Sequence, residues 1–470
     1  MLLVVALPLQ ACAVGPNYRP ATPDKLGVPG AYTQGTAQGA LPDISTWWTS
    51  FNDPELTSIV DRARKNNLDI AQAVARLKQA REGLVQARAS FLPTVNGSAG
   101  YNRNVLDNPG GQARGSFSIG ADASYQADIF GGVRRSVEAA SASRDAAGYD
   151  LATVQTSVAA EAARNYILAR QSAADLAIAR DTLKIQDDNL EIAGFRVQAG
   201  LVSSLDYEQA KQTRAQTAAT IPSLQQNYVA AVNRLGVLTG QAPGALASEI
   251  DGVVSGARNA YVIPSGPEAI PVGIPGDVLR QRPDVRSAER NLAASTAQIG
   301  VEKAALYPAL NITGSIGTSA SSLGNIANIV TGSLFAGLTQ LIFDGGRTRS
   351  RVRAQEAAAE GSFAAYKSTV LTSLEDVENA LAALQSAKDR QAQFAIAQDA
   401  ASAAAILARS QYRAGLTDFT TLNTAESALL SARNGLSDAT ADRAQAIVAL
   451  YLALGGGWDS SAAAPNPPQE

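Results

Sequence analysis

The chain contains no histidine, one cysteine and one methionine, the initiator. Without imidazole, and with a single thiol, the common ligand sets for zinc, copper and haem cannot be assembled. Disulfides within the chain are excluded on the same count. So are nucleophile systems that need a histidine base, Ser/His/Asp and Cys/His alike. There is no phosphate loop, no G-x-G-x-x-G ahead of a helix and no G-x-S-x-G elbow. Acidic pairs such as Asp187-Asp188 and Glu375-Asp376 sit inside helical patterns and read as solvated faces. The net charge of −3 offers no electrostatic footprint for nucleic acid. No run of about 18 apolar residues occurs, so a membrane can be met only through strands or a lipid. The composition calls for no cofactor and no metal, and argues against an enzyme.

What the chain does contain is itself, twice. Asn67-Leu68-Asp69-Ile70 reappears 215 residues later as Arg282-Pro283-Asp284-Val285, and Leu77 as Leu292. Phe91-Leu92-Pro93 with Asn96 reappears as Leu306-Tyr307-Pro308 with Asn311. Ala199-Gly200-Leu201 returns as Ala414-Gly415-Leu416, and Ala210, Leu235 and Gly240 as Ala425, Leu450 and Gly455. One constant offset, held almost without gaps, marks a duplication. Each copy reads helix, two strands, very long helix, helix. The copies span about 56–240 and about 276–457, joined by a Gly/Pro-rich connection over about 241–275. A tail follows over about 458–470.

Residues 1–11 form an apolar segment ending in Leu9-Gln10-Ala11, directly before the only cysteine, Cys12. That order matches a bacterial lipobox, so Cys12 is the expected acylation site and the expected first residue of the mature chain. The segment lacks the basic region that opens an export signal, so further residues are expected upstream. Ala13 follows; an aspartate there would imply inner-membrane retention, so its absence favours the outer membrane. Residues 12–55 read as a lipidated lead-in that wraps the body of the protein.

The long helices are expected over about 132–198 and about 346–413, both free of proline. At about 1.5 Å per residue each is roughly 100 Å long, which indicates a coiled coil or helical barrel. Leu176, Leu183, Leu190 and Val197 recur every seven residues, and Ile178, Ile185 and Ile192 form a second stripe of the same period. Two stripes fit a helix packed between two neighbours in a cylinder wall. The last helix carries a seam of Leu422, Ala425, Leu429, Ala432, Leu436, Ala439, Arg443, Ala446 and Leu450, where alternate alanines permit close approach.

Strands are expected over about 93–130 and about 308–343. Leu310, Ile312, Gly314 and Ile316 alternate with the mostly polar Asn311, Thr313, Ser315 and Thr318, and Phe117, Ile119, Ala121, Ala123 and Tyr125 repeat the pattern. Lengths near ten residues with one apolar face suit a transmembrane barrel. Four strands per chain leave open edges, which cannot face lipid because unpaired amides are too costly there. The chain is therefore expected to oligomerise to close its sheet. Asp344-Gly345-Gly346 reads as the strand-to-helix turn and not as a calcium site.

At this point the chain resembles the outer-membrane factor family of TolC-like trimeric efflux channels, in its lipoprotein drug-efflux subfamily. The resemblance covers nearly the whole mature chain. It is carried by Cys12-Ala13-Val14-Gly15-Pro16-Asn17-Tyr18, by Trp47-Trp48 with Phe51-Asn52-Asp53-Pro54-Glu55-Leu56, and by Gln281-Arg282-Pro283-Asp284-Val285-Arg286 with Ala288-Glu289-Arg290. Ala297-Gln298-Ile299-Gly300 and Tyr307-Pro308 continue it. The resemblance implies an α+β membrane protein: a trimeric twelve-stranded transmembrane β-barrel continuous with a twelve-helix periplasmic α-barrel and ringed by an equatorial belt. It implies a passive exit duct, anchored in outer-membrane lipid and docked to a periplasmic adaptor and an inner-membrane pump.

It also implies that the turns over about 199–203 and 414–418, at Gly200 and Gly415, form the periplasmic tip. Relatives often carry a constriction acid one turn into the last helix; the matching position here is Thr424, with Thr420 one turn earlier. Candidate gate residues are therefore Asp206, Gln209, Asp418, Thr420 and Thr424, with Arg413 placed to pair across helices. An alternative is a lipid-anchored periplasmic coiled-coil adaptor or scaffold. That protein would carry one helical hairpin between split lipoyl-like halves and no duplicated strand pairs. The duplication discriminates for the channel.

Overall fold

The computed structural model describes residues 13–33, 43–104, 114–250, 262–326 and 328–459. The apolar leader 1–11 and Cys12 lie outside the described residues. In chain order the elements are α1 (Pro23–Leu26), α2 (Pro54–Asn66), α3 (Leu68–Ala89), β1 (Thr94–Asn104), β2 (Arg114–Ala127), α4 (Gly132–Gln198) and α5 (Ser204–Leu238). Then follow α6 (Pro275–Gln281), α7 (Pro283–Ala304), β3 (Ala309–Ala320), β4 (Val330–Thr339), α8 (Arg347–Arg413) and α9 (Phe419–Ala453). The long helices α4 and α8 have 67 residues each, and α5 and α9 have 35 each, so the duplication read from the sequence is also a duplication of structure.

The chain divides into two compact units. The first (Met1–Ala21, Ala75–Gly148, Ser287–Ser368) contains one antiparallel sheet in the order β1-β2-β3-β4. Register assigns the faces. Val95, Ala99 and Tyr101 stand opposite Ala123, Ile119 and Phe117, and Tyr125 and Ala121 stand opposite Ile312 and Ile316. Leu310, Ile312 and Gly314 in turn pair with Leu338, Ala336 and Leu334. Directly paired residues share a face, so all of these form one apolar surface. The other face carries Thr94, Asn96, Ser98, Asp122, Ser124, Asn311, Thr313, Ser315 and Ser333. Thr318 is a correction: it pairs with Ile119 and Val330, on the apolar face and not among the polar residues. Phe335 is the converse exception, an aromatic on the polar face opposite Thr313.

Both strand-to-helix corners are capped by aspartate, as an N-terminus with unsatisfied amides requires. Asp128 accepts from the amides of Val133 and Arg134, each at 2.9 Å. Asp344 accepts from the amides of Gly346 (2.9 Å) and Thr348 (2.7 Å) and from the Thr348 hydroxyl (2.7 Å). The Asp344-Gly345-Gly346 turn is thus a helix cap. The segment after Cys12 is strapped onto the first corner. The Val14 amide donates to Phe130 O (3.1 Å), while Arg135 donates to Val14 O (3.1 Å), Gly15 O (3.3 Å) and Asn17 Oδ1 (2.6 Å). A Cβ at Gly15 would lie 2.5 Å from Gly300 Cα, so this crossing of backbones admits no side chain. The Tyr18 hydroxyl donates to Glu289 (3.0 Å); burial, then that carboxylate, pushes its pKa well up.

The second unit (Thr22–Val74, Tyr149–Arg286, Thr369–Glu470) is helical. The Trp47-Trp48 motif is buried in its core. Trp47 stacks on Tyr451 at 5.4 Å, Trp48 lies under the Arg64 guanidinium at 4.8 Å, and Asp53 caps α2 through the amides of Glu55 and Leu56 while accepting from the Tyr166 hydroxyl at 3.1 Å. Trp458, at the start of the segment read as a tail, is buried and donates to Gln281 O at 3.0 Å. The two copies end alike. Asn67 donates to Leu238 O at 3.0 Å, and 215 residues on Arg282 donates to Ala453 O at 3.0 Å.

Cross-helix contacts order the long elements as α5-α4-α9-α8. Arg214 reaches Asp187 at 2.6 Å between α5 and α4, and Ser437 donates to Asp175 at 2.6 Å between α9 and α4. Arg390 meets Asp442 at 2.6 Å between α8 and α9. The leucine–alanine seam of α9 is largely buried, as its period implies. In α4 the outcome is subtler. Over its last turns, beyond Ser172, the buried line is Ala179, Thr182, Gln186, Asn189 and Ala193, small or polar, while the Leu176 and Ile178 stripes are half-buried flanks.

Candidate functional site

The candidate site is built where the long helices end. At Gly200 the backbone turns left-handed (φ 71°), the Leu201 amide donates back to Arg196 O (2.9 Å) and the Gly200 amide to Val197 O (3.0 Å). At Gly415 (φ 74°) the Leu416 amide donates to Gln411 O (2.9 Å) and the Gly415 amide to Tyr412 O (3.0 Å). Glycine takes this conformation without steric cost, and the paired bonds satisfy carbonyls that a helix end leaves free. Leu201 and Leu416 project from these turns and are exposed. Ser203 caps α5 through the Leu205 amide (3.0 Å), and Asp418 caps α9 through the Thr421 amide (2.8 Å).

Under this turn pair lies a compact cluster of Ala193, Ala210, Ala408, Tyr412, Phe419 and Leu422, one or more residues from each of α4, α5, α8 and α9. Tyr412 is fully buried and meets Phe419 edge-on at 6.0 Å. The Arg196 guanidinium sits 4.8 Å from the Tyr412 ring centroid and donates to Tyr412 O at 3.2 Å. Burial raises the pKa of the Tyr412 hydroxyl. One layer further in, Glu426 is only 9% exposed and accepts from Asn189 (2.8 Å) and Arg409 (3.2 Å).

The residues singled out in the sequence distribute as follows. Asp206 and Gln209 are half-buried, one turn apart, on the first turns of α5. Asp418, Thr420, Thr424 and Arg413 are exposed, and Thr424 Oγ1 donates to Thr420 O at 2.8 Å. The hydroxyl and then the amide of Thr421 hold the Asp418 carboxyl below the usual carboxylate range, in keeping with its place as the cap of α9. Near the helix ends the structure adds two arginines that bridge helices, Arg196 and Arg409, beside the exposed Arg413. Tyr412, Phe419 and Glu426 went unnoticed as well. A signal for two of them existed: at the matched positions Tyr412 replaces Val197 and Phe419 replaces Ser204, so the copies differ where this cluster forms. Among the described residues there is no group of metal-ligating side chains.

The profile of the Outer membrane efflux protein family matches residues 59–241 and 274–456, two segments offset by the same 215 residues as the repeat. The chain belongs to the outer membrane efflux protein family. It is 32% identical to Nodulation protein T of Rhizobium leguminosarum bv. trifolii, over 98% of this chain and 97% of that one. It is 32% identical to the pyoverdine export outer membrane protein OpmQ of Pseudomonas putida, over 98% and 97%. Among solved structures, the outer-membrane channel OprN superposes with a TM-score of 0.85 at 33% identity, covering 95% of this chain and all of that one.

This outer-membrane efflux protein is thus a trimeric channel in which three four-stranded sheets close one barrel. It is the outer-membrane exit duct of a tripartite system, and its partners are a periplasmic adaptor and an inner-membrane pump. The adaptor reading, with its single hairpin and no strand pairs, is not supported. Proteins of this family are ducts and not enzymes.

Proposed function

We propose that the duct works without catalysis of its own and is closed at rest where α4, α5, α8 and α9 end, at the periplasmic tip. The observation that carries this reading is the Arg196–Tyr412 contact, which ties the end of α4 to the end of α8 across the two copies. In this account Thr420 and Thr424 line the narrowest level, Asp206, Gln209 and Asp418 set its charge, and Arg413 stands at its rim. Opening requires the starts of α5 and α9 to splay when an adaptor grips the turns at Gly200 and Gly415. The exposed apolar residues of the outer helices of each chain, Val229 and Val237 on α5 and Ile396 and Leu407 on α8, fit closure of the helical wall by adjacent copies.

Cys12 is acylated in this reading, and the strap of residues 14–18 holds the acylated end against the first strand-to-helix corner. The closed barrel is the principal anchor, because it alone spans the membrane with its backbone groups paired. Residues 12–55 and 241–275 then wrap the equator. Relatives named for pyoverdine export and for cation efflux match this chain along 98% and 97% of its length, which favours a duct whose cargo is chosen by the pump.

Recordings on Thr420→Ala/Thr424→Ala and on Asp206→Asn and Asp418→Asn test the gate. The threonine variant should conduct more and the acid variants should shift cation preference. Unchanged conductance and selectivity in all of them would move the gate elsewhere. Mass spectrometry of the amino-terminal peptide tests the anchor, and an unmodified Cys12 in membrane-extracted protein would refute it.

A further inference from the structure

The first two turns of α8 carry arginine at every second position: Arg347, Arg349, Arg351 and Arg353, all exposed. Thr348 and Val352 form the buried line between them. At 100° per residue, Arg347 and Arg351 fall on one flank of that line and Arg349 and Arg353 on the other. Each flank therefore presents two like charges at i,i+4, which repel. Arg347 and Arg349 also sit in the first turn, at the positive end of the helix dipole, where cations are disfavoured. No acid occupies that turn. The adjacent carboxylate, Asp344, is engaged by Gly346 and Thr348. Glu356, further along, is paired with Lys303 at 2.9 Å. Among the described residues Arg349, Arg351 and Arg353 form no ion pair. The chain thus concentrates four positive charges here, and the one nearby carboxylate, Asp344, feels only Arg347 among them.

The position indicates where the counter-charge comes from. Immediately before the cap, Ile342 and Phe343 are each 88% exposed, and Leu334 and Leu338 of β4 project from the apolar, lipid-facing side of the sheet. The arginines therefore follow the membrane-embedded strand at the depth where hydrocarbon gives way to headgroups. The matched corner in the first copy differs: Arg135 is buried under the strap, and Arg134 lies near Asp128. We propose that Arg347, Arg349, Arg351 and Arg353 form a basic collar that binds anionic glycerophospholipid headgroups of the periplasmic leaflet. The partner is fixed by charge complementarity and by continuity with the lipid-facing strand surface. Guanidinium forks suit phosphate oxygens, and near an anionic membrane surface each such residue changes partitioning by about fivefold.

The test uses the full trimer in nanodiscs of phosphatidylethanolamine with and without phosphatidylglycerol. Phosphatidylglycerol should raise the denaturation temperature of the unaltered trimer. In R347Q/R349Q/R351Q/R353Q that rise should fall by more than half, the four-lysine variant should keep most of it, and about 1 M salt should abolish it. Native mass spectrometry should count severalfold fewer retained anionic lipids on the glutamine variant. Equal shifts in both proteins, or none in the unaltered trimer, would overturn the proposal. So would a changed reversal potential with lipid retention intact, which would assign the arginines to the lumen wall. Should the glutamine variant not assemble, the lipid count on the unaltered trimer decides, and retention of no anionic lipid sinks the collar.

Discussion

The guanidinium of Arg196 lies over the ring of Tyr412 and donates to that residue's carbonyl oxygen, so the end of α4 is fastened to the end of α8 by one side chain. A cation–π contact of this kind is worth about 0.5–2 kcal/mol and the added hydrogen bond about 1 kcal/mol. That is enough to bias a two-state end by about tenfold or more. Arg196→Ala should therefore raise the open fraction of the reconstituted trimer without altering the amount of trimer formed. Arg413→Ala, on a side chain exposed at the rim, should change it far less; equal effects would contradict the assignment.

Glu426 is buried and holds both Asn189 and Arg409. Glu426→Ala leaves two donors without their acceptor, which costs about 1–3 kcal/mol. Faster hydrogen exchange in peptides covering the ends of α8 and α9, with the sheet unaffected, would register that loss locally. Uniform protection across those peptides would show that Glu426 contributes little there.

Acidification should loosen the start of α9. The Asp418 carboxyl is held below its ordinary pKa by Thr421. Its contribution to the cap is therefore complete above the unfolded carboxylate value of about 3.9 and is lost as pH falls through the lowered folded value. Asp418→Asn keeps an acceptor oxygen and removes the titration. Conductance of the unaltered trimer should accordingly rise in strong acid more steeply than that of the asparagine variant; parallel profiles would assign the acid response to another group.

Arg135 is the fastener of the amino-terminal strap. Arg135→Ala abandons the carbonyls of Val14 and Gly15 and the side chain of Asn17, at a cost of at least about 2 kcal/mol. Peptides covering residues 13–21 should then exchange as a free chain, and the trimer should denature at a lower temperature. Retained protection of those peptides would show that the Gly15–Gly300 crossing suffices to hold the strap.

Much of this architecture is legible in the sequence because repetition and alternation are periodic signals. The 215-residue offset predicts the strand–strand–helix–helix order, and strict alternation from Phe117 to Tyr125 assigns those residues to one face. What was not legible has a common physical cause. Matching two copies draws attention to what they share, whereas the candidate gate uses what they do not: Tyr412 against Val197, Phe419 against Ser204, and Ser437, which holds Asp175, against Pro222. The polar seam of α4 was missed for a related reason. Apolar stripes mark a helix's packing face in a globular core, but in α4 they are the flanks, and Gln186 and Asn189 face inward. Thr318 was misassigned by its polarity alone: two residues after Ile316, it shares the apolar parity, as its pairing with Ile119 and Val330 shows.

Single-channel recording of the purified homotrimer in planar bilayers tests the central claim most directly. The account predicts a trimer that inserts unaided, conducts poorly at rest, and passes to a large, weakly selective conductance when Arg196 and the Thr420/Thr424 pair are replaced by alanine. A folded, inserted trimer with the same small conductance in every variant would contradict a duct closed where α4, α5, α8 and α9 end.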